Sequence, residues 1–366
     1  MFLIKKEDVK GFGLSVPCQP LFQFFSNAIQ CKTMKDLLKR FGLDGFIVLL
    51  FTAIFLAWLY PAPGAAKWHG VSLSDVAHWG VSVIFFLYGL RLNWSEIYSG
   101  LSAYKLHLVT QSGVFIIFPL IVLPLTCYFG RQDDGTISTL WLGIFFLSAL
   151  PSTVSSSVVM VNIAKGNLPG AIFNASISSL LGVFITPLWM SIFVNAQSGA
   201  GRELQSIFIS LIIQVIVPIV AGVSLNRFWG NFARTHKKLL SKFDQSVIIL
   251  IVYTSFCGSF QEGQFATLST PTLFALSAGM IALFFVAYTI MGVICRALRF
   301  NREDTITALF CGSKKSLVHG AVMSQIILTD PAMAGILLLP TMLYHALQLI
   351  IVSILARRWA KSAVSN

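Results

Sequence analysis

"TALFCGSKKSLVHGAVMSQIIL", residues 307–328, looks membrane-spanning on both flanks. Two adjacent lysines, Lys314 and Lys315, nonetheless sit at its centre, and no acidic residue lies between Asp304 and Asp330. A cation at mid-bilayer costs about 3 kcal/mol on insertion scales, so it persists where it faces protein or water and has partners. The flanking pieces 304–312 and 317–329 are each too short to cross, because a span needs about 20 residues. One reading is a cytoplasmic loop between two short helices. A second is a re-entrant or crossover element inside the protein, which the lengths favour. A third, compatible with the second, has one lysine capping the negative C-terminal end of half-helix 304–312.

The rest of the chain supports a membrane setting. Of its 366 residues 56% are hydrophobic and only 11% charged, against roughly a quarter charged in a soluble globule. Ten candidate spans cover roughly 43–60, 74–91, 105–128, 138–164, 168–195, 205–227, 245–261, 272–295, 304–329 and 332–356. The net charge of +12 invites a polyanionic partner, but its distribution argues against nucleic acid. With the N-terminus cytoplasmic, 21 of the 26 Lys and Arg fall on the cytoplasmic side and only Lys67, Arg131 and Arg202 on the other; Lys314 and Lys315 complete the set. That asymmetry is the positive-inside pattern, and it predicts an inner-membrane protein with both termini cytoplasmic.

The six cysteines, Cys18, Cys31, Cys127, Cys257, Cys295 and Cys311, show no paired spacing, so neither a disulfide framework nor a zinc site is indicated. No phosphate loop, HExxH or GxSxG elbow appears. No enzymatic activity and no organic cofactor are expected.

The expected organisation is a cytoplasmic leader over 1–42, poorly ordered or interfacial, with Met34 as an alternative start. A five-helix repeat follows over 43–196, a second over 204–358, and a cytoplasmic tail over 359–366. An odd number of spans per half puts the halves in opposite orientations, the inverted repeat of many secondary transporters. Each half carries one interrupted helix. In span 4, Pro151 lacks a donor while Ser152, Thr153, Ser155, Ser156 and Ser157 compete for backbone hydrogen bonds. In span 9, Gly312, Ser313, Lys314, Lys315 and Ser316 interrupt similarly. Shifting 151–157 by the offset between the halves lands on 311–317. A kink with serines bonded back to carbonyls is the structural alternative.

All fourteen acids fall in loops, in the leader or at span ends, so a buried carboxylate pair that binds sodium is disfavoured. The preferred expectation is that a lysine ammonium occupies the place of a sodium ion, since half-helix C-termini and unwound carbonyls favour a cation. A buried lysine that exchanges its proton would couple transport to pH, making H+ a second coupling ion to weigh beside Na+. Asn174, Ser176, His319 and Gln325, with Asn162, Ser178, Ser179 and Ser324, are further polar groups in the central spans. Singly, each serves helix–helix hydrogen bonding as readily as a ligand. Tyr344 and His345 read as packing.

"FFLYGLRLNWSEI" (85–97), "KLHLVTQSGVFIIFP" (105–119), "ALPSTVSSSVV" (149–159), "GNLPGAIFNASISSLLGVFITPL" (166–188), "LIVYTSF" (250–256), "FCGSKKSL" (310–317) and "YHALQL" (344–349) resemble the bile acid:sodium symporter family. The match is nearest to its divergent bacterial branch, which also includes the seventh animal member of the bile acid carriers. The resemblance implies ten spans, a panel domain of spans 1, 2, 6 and 7, a core domain of the rest, and spans 4 and 9 crossing at unwound centres. It also implies organic-anion substrates with Na+ co-transport. The family's first-site crossover serine matches Ser157 or Ser156, and the asparagine beside it is replaced by Val158. The span-5 hydroxyls fall near Ala171 and Ala175, beside Asn174 and Ser176. Any sodium would lie near Ser156, Ser157 and Asn174. The shared span-9 glutamate is missing around Phe310 to Cys311, and the glutamine after it corresponds to Lys314.

Together these features predict an all-α transporter of ten helices in an inverted five-plus-five repeat, with discontinuous helices 4 and 9. It would move a small organic anion or related metabolite by alternating access, with the crossover lysines replacing sodium. Na+-coupled organic anion symport through neutral oxygen ligands is the alternative within transport. A non-transporting membrane sensor is the alternative outside it.

Overall fold

The computed structural model describes residues 45–68, 70–91, 103–133, 136–198, 209, 212–327 and 331–362. The leader over 1–42, the start at Met34, most of the connection 195–205 and residues 363–366 of the tail lie outside them. Contacts divide the chain into Met1–Gly45 and Phe46–Asn366; everything below concerns the second unit, with Gly45 opening its first helix.

The described chain is almost wholly helical. The helices are α1 (Gly45–Leu59), α2 (Ala62–Ala65), α3 (Leu73–Arg91), α4 (Tyr104–Phe129), α5 (Thr139–Ala149), α6 (Ser155–Ile163) and α7 (Leu168–Ser198), followed by α8 (Ile212–Thr235), α9 (Lys237–Gln261), α10 (Thr270–Ala297), α11 (Arg302–Gly312), α12 (Leu317–Ile327) and α13 (Pro331–Ser362). A two-residue hairpin pairs β1 (Lys67–Trp68) with β2 (Val71–Ser72), and Gly70 at φ 84° supplies the left-handed turn between them. Seven helices, α3, α4, α7, α8, α9, α10 and α13, are long and apolar enough to cross a membrane. The protein is a multi-pass helical membrane protein.

Local signals set several helix starts. Ser72 and Asp75 form a reciprocal capping box at α3, with Ser72 N donating to Asp75 Oδ2 at 2.8 Å and Asp75 N to Ser72 Oγ at 3.1 Å. Asn301 caps α11 by accepting from Asp304 N at 2.7 Å. Both interruptions are present, though the first is shorter than the expected 151–157, since Ser155, Ser156 and Ser157 already belong to α6. Span 4 is split into α5 and α6 around 150–154, and span 9 into α11 and α12 around 313–316. One boundary also differs. Span 6 was expected to end near 227 and be followed by a basic loop, but α8 runs to Thr235 and α9 starts at Lys237. Arg, Lys and Leu are good helix formers, and 228–244 contains no proline to stop them, so the basic residues ride on helices.

Burial separates the elements. Ten of the eleven residues of α12 are buried, as expected of a helix enclosed by others. In contrast, α8 turns Ile213, Val217, Val220, Phe228, Trp229 and Phe232 outward, which suits contact with lipid. Its inner face packs on α3 at backbone distance: a Cβ on Gly222 would collide with the Phe86 carbonyl, and one on Gly89 with the Ile219 carbonyl. Asn226 Nδ2 donates to Leu90 O at 2.6 Å, and Arg91 pairs with Asp244 of α9 at 2.7 Å. Gly222→Ala is therefore expected to lower stability by about 1–3 kcal/mol through overpacking, while Gly279→Ala, whose Cβ would meet open space, leaves it unchanged or raised. Thermal unfolding of the detergent-purified variants tests the difference.

Candidate functional site

An interrupted helix leaves backbone carbonyls without partners at its broken end, and in a membrane interior each must be satisfied by protein. Several carbonyls around the end of α5 have identified partners. Phe145 O accepts from Ser148 Oγ at 2.6 Å, Leu147 O from Leu150 N at 3.2 Å, and Ala149 O from Thr186 Oγ1 of α7 at 2.8 Å. Pro151 O accepts from Ser316 N at 2.9 Å, which joins the two breaks directly. Lys315 Nζ donates to the carbonyls of Ser148 and Leu150, at 2.6 and 2.9 Å.

The third acceptor of Lys315 comes from α4. Residues Gly113–Ile117 form a π-helical turn in which Phe118 N reaches back to Gly113 O. The next donor in that register would be residue 119, a proline with no N–H, so Val114 O is left free. Lys315 Nζ takes it at 2.7 Å. The neighbouring carbonyl, Phe115 O, is taken by Trp189 Nε1 at 2.8 Å. The Phe118 ring lies 4.3 Å from the ammonium, adding a cation–π contact. An ammonium has three donors, and those of Lys315 are all used.

The cap expected on half-helix 304–312 is thus corrected. Lys315 caps the end of α5, the broken helix of the other half. The end of α11 is closed by its own Ser313, whose Oγ and N both donate to Leu309 O, so that carbonyl is already satisfied without a lysine. The reading of 313–317 as a cytoplasmic loop is likewise overturned: Ser313, Lys314 and Lys315 have no exposed surface.

Lys314 points elsewhere. Its Nζ donates to Ser156 Oγ at 2.6 Å, Ser156 Oγ donates to Thr153 Oγ1 at 2.9 Å, and Thr153 Oγ1 shares a 2.8 Å bond with Ser157 Oγ. Ser152 N is held by Ser178 Oγ at 2.9 Å, and Ser152 Oγ is buried without a partner among the described residues. Ser155 opens α6; its side chain is not among the described groups. Ser316 Oγ bonds His319 at both N (3.3 Å) and Nδ1 (3.0 Å), and His319 meets the Tyr88 ring edge-on.

Three expected residues bond elsewhere. Asn174 donates to Gly170 O and accepts from Gln111 Nε2 of α4. Ser176 bonds back to Ile172 O. Gln325 reaches Ser255 of α9. Conversely, α13 contributes more than packing. Tyr344 OH donates to Ser313 O at 2.6 Å. Gln348 grips Lys315 at both backbone groups, accepting from its N at 2.9 Å and donating to its O at 2.8 Å. The same amide nitrogen lies 2.9 Å from His345 Nδ1, which is also 3.5 Å from Lys315 O. The i, i+3 spacing of His345 and Gln348 inside an apolar helix was the available signal, as was Pro119 for the π-turn.

Electrostatically the site is one-sided: it holds two buried lysines and, among the described residues, no group of three or more His, Cys, Asp or Glu placed to bind a metal. Carbonyl and hydroxyl dipoles are what the protein offers a cation here.

A family profile described as the SBF-like CPA transporter family (DUF4137) matches residues 44–361. Among curated proteins, the chain is similar to the uncharacterized protein PA2026 of Pseudomonas aeruginosa, 36% identical over 322 residues covering 88% of this chain and 94% of the relative. It is 32% identical to YfeH of Escherichia coli K12 over 320 residues, 87% and 93% of the two chains. It is 30% identical to the sodium/bile acid cotransporter 7 of Rattus norvegicus over 323 residues, again 87% and 93%.

Gln348→Leu removes both grips on the Lys315 backbone and leaves two buried groups unpaired. A loss of at least about 2 kcal/mol is expected at about 1–3 kcal/mol per orphaned group. Gln348→Glu keeps the acceptor for Lys315 N and should lose less. Parallel unfolding curves of the two variants decide this.

Proposed function

The chain belongs to the SBF-like CPA transporter family, and from that premise we propose that it is a secondary active transporter of a small organic anion, working by alternating access. In this reading the crossover lysines stand where a transported sodium ion would otherwise bind. The observation that carries it is the Lys315 ammonium held by three carbonyls at 2.6 to 2.9 Å. Oxygen-only coordination by backbone groups at a broken helix end is how a protein binds an alkali cation, and here the cation is covalently attached. Burying an ammonium costs several kcal/mol, which three charge-assisted bonds and an aromatic face offset. An anionic substrate is supported by the charge balance, since two buried lysines bonded to no carboxylate among the described residues attract negative charge.

The topology proposed with this function counts α5 with α6, and α11 with α12, as one discontinuous helix each. Together with α1 and the seven long helices, that makes ten spans in two inverted halves. The excess of Lys and Arg on one side supports an inner-membrane protein with both termini in the cytoplasm. The anion enters near the two breaks, where Thr153, Ser156 and Ser157 supply neutral hydrogen-bonding groups.

Purified protein screened against an anion library by thermal unfolding should be stabilised by its substrate equally with and without Na+. The same anion should enter proteoliposomes without a Na+ gradient. Lys315→Ala should unfold at lower temperature and lose uptake, with both partly restored by millimolar methylammonium, a detached copy of the missing group. Wild-type uptake that requires Na+, together with unimpaired uptake by Lys315→Ala, would overturn the reading.

A further inference from the structure

The two lysines are adjacent in sequence but chemically unlike in their surroundings. Lys315 uses three donors and is an ammonium by construction. Lys314 makes one hydrogen bond, to Ser156 Oγ, among the described residues. A neutral amine can also make that bond, more weakly than an ammonium does, so the contact does not require a permanent charge. The groups that surround Lys314 do not pair with a permanent charge. Its titratable neighbours are Cys311 on α11 and His345 on α13, with Lys315 next in the chain, Tyr344 on α13 and His319 on α12. The α5–α6 break brings the Ser156 hydroxyl, with those of Thr153 and Ser157 behind it. The acids of α11, Glu303 and Asp304, lie in its first turn, at the opposite end from Lys314. A second fixed positive charge beside Lys315 would stand without a counter-ion in a dry site.

Lys314 also has a way out that Lys315 lacks. The acceptors of Lys315 are backbone carbonyls, which cannot pass a proton on. The partner of Lys314 is a hydroxyl, which both donates and accepts, and Ser156 is only half-buried while Thr153 and Ser157 behind it are buried.

We propose that Lys314 carries the coupling proton of transport, exchanging it through the Ser156 hydroxyl, while Lys315 remains a fixed structural cation. The inference rests on the transporter reading above and names its coupling ion. In the loading step the amine lone pair forms an N–H bond with a proton relayed by Ser156 from water, and one positive charge enters the site. That charge pairs with the substrate anion, so one proton and one anionic charge move together. Release reverses the step: the N–H bond breaks and the proton returns to water on the other side.

The test needs no substrate. Full-length protein carrying lysine labelled with 15N at Nζ is placed in lipid nanodiscs and followed by NMR across the pH range in which it stays folded. Ser156→Ala, which keeps both lysines, identifies the Lys314 resonance by displacing it. Phe118→Leu, which removes the ring over Lys315, identifies the other. The expected result is complete loss of the Lys314 ammonium signal on alkalinisation, regained on acidification, while Lys315 remains ammonium throughout. A Lys314 signal that stays ammonium over the whole range, or a Lys315 signal that titrates first, would overturn the proposal. If it fails this way while anion uptake persists in proteoliposomes, the transporter reading survives without the proton. If uptake is absent but Lys314 titrates, the transporter reading is the part that fails.

Discussion

Lys315 holds three carbonyls from two unrelated backbone defects together with one atom. The broken end of α5 contributes the carbonyls of Ser148 and Leu150, and the π-turn of α4 contributes that of Val114. Each defect alone would leave a buried acceptor unpaired in an apolar interior. Brought to a single ammonium, they cancel one another and the cost of the buried charge. The surrounding arrangement serves that convergence. Gln348 fixes the backbone of residue 315 from α13, Tyr344 fixes that of 313, and the contact of Ser316 N with Pro151 O sets the distance between the breaks.

Rigidity and adaptability are divided along the same line. The carbonyl side, around Lys315, is saturated and stiff. The hydroxyl side, around Lys314, Ser156, Thr153 and Ser157, is made of groups that rotate and exchange donor and acceptor roles. Serine and threonine suit this task because they hydrogen-bond a cation, an anion or each other without bringing charge. A site built this way responds to what enters it without the helices around it coming apart. The close glycine contact of α3 with α8 and the ion pair of Arg91 with Asp244 keep the helices on that side together independently of the breaks.

Much of this was legible in the chain before any coordinates. Apolar run lengths gave the membrane helices, proline and serine density located the interruption after α5, and the GSKKS run located the one after α11. Those signals are local: a missing donor, a competing hydroxyl or a charge in an apolar run acts within one turn. The partners of those groups are not local. Sequence spacing assigned a lysine to its own half-helix, whereas the residues that receive it lie 201, 167 and 165 positions away. Asn174, Ser176 and Gln325 stand out in the sequence as polar groups in apolar helices, and only the structure shows the neighbours each one bonds.

By itself, then, the sequence determined that this is a many-helix membrane protein with two interruptions and two lysines inside an apolar stretch, because hydrophobic length, helix breaking and the cost of a charge are properties of short stretches. Which lysine is saturated by carbonyls and which bonds a single hydroxyl was decided only by the tertiary structure. Adjacent side chains leave an unwound backbone in different directions, and their chemistry is set by the distant segments they reach.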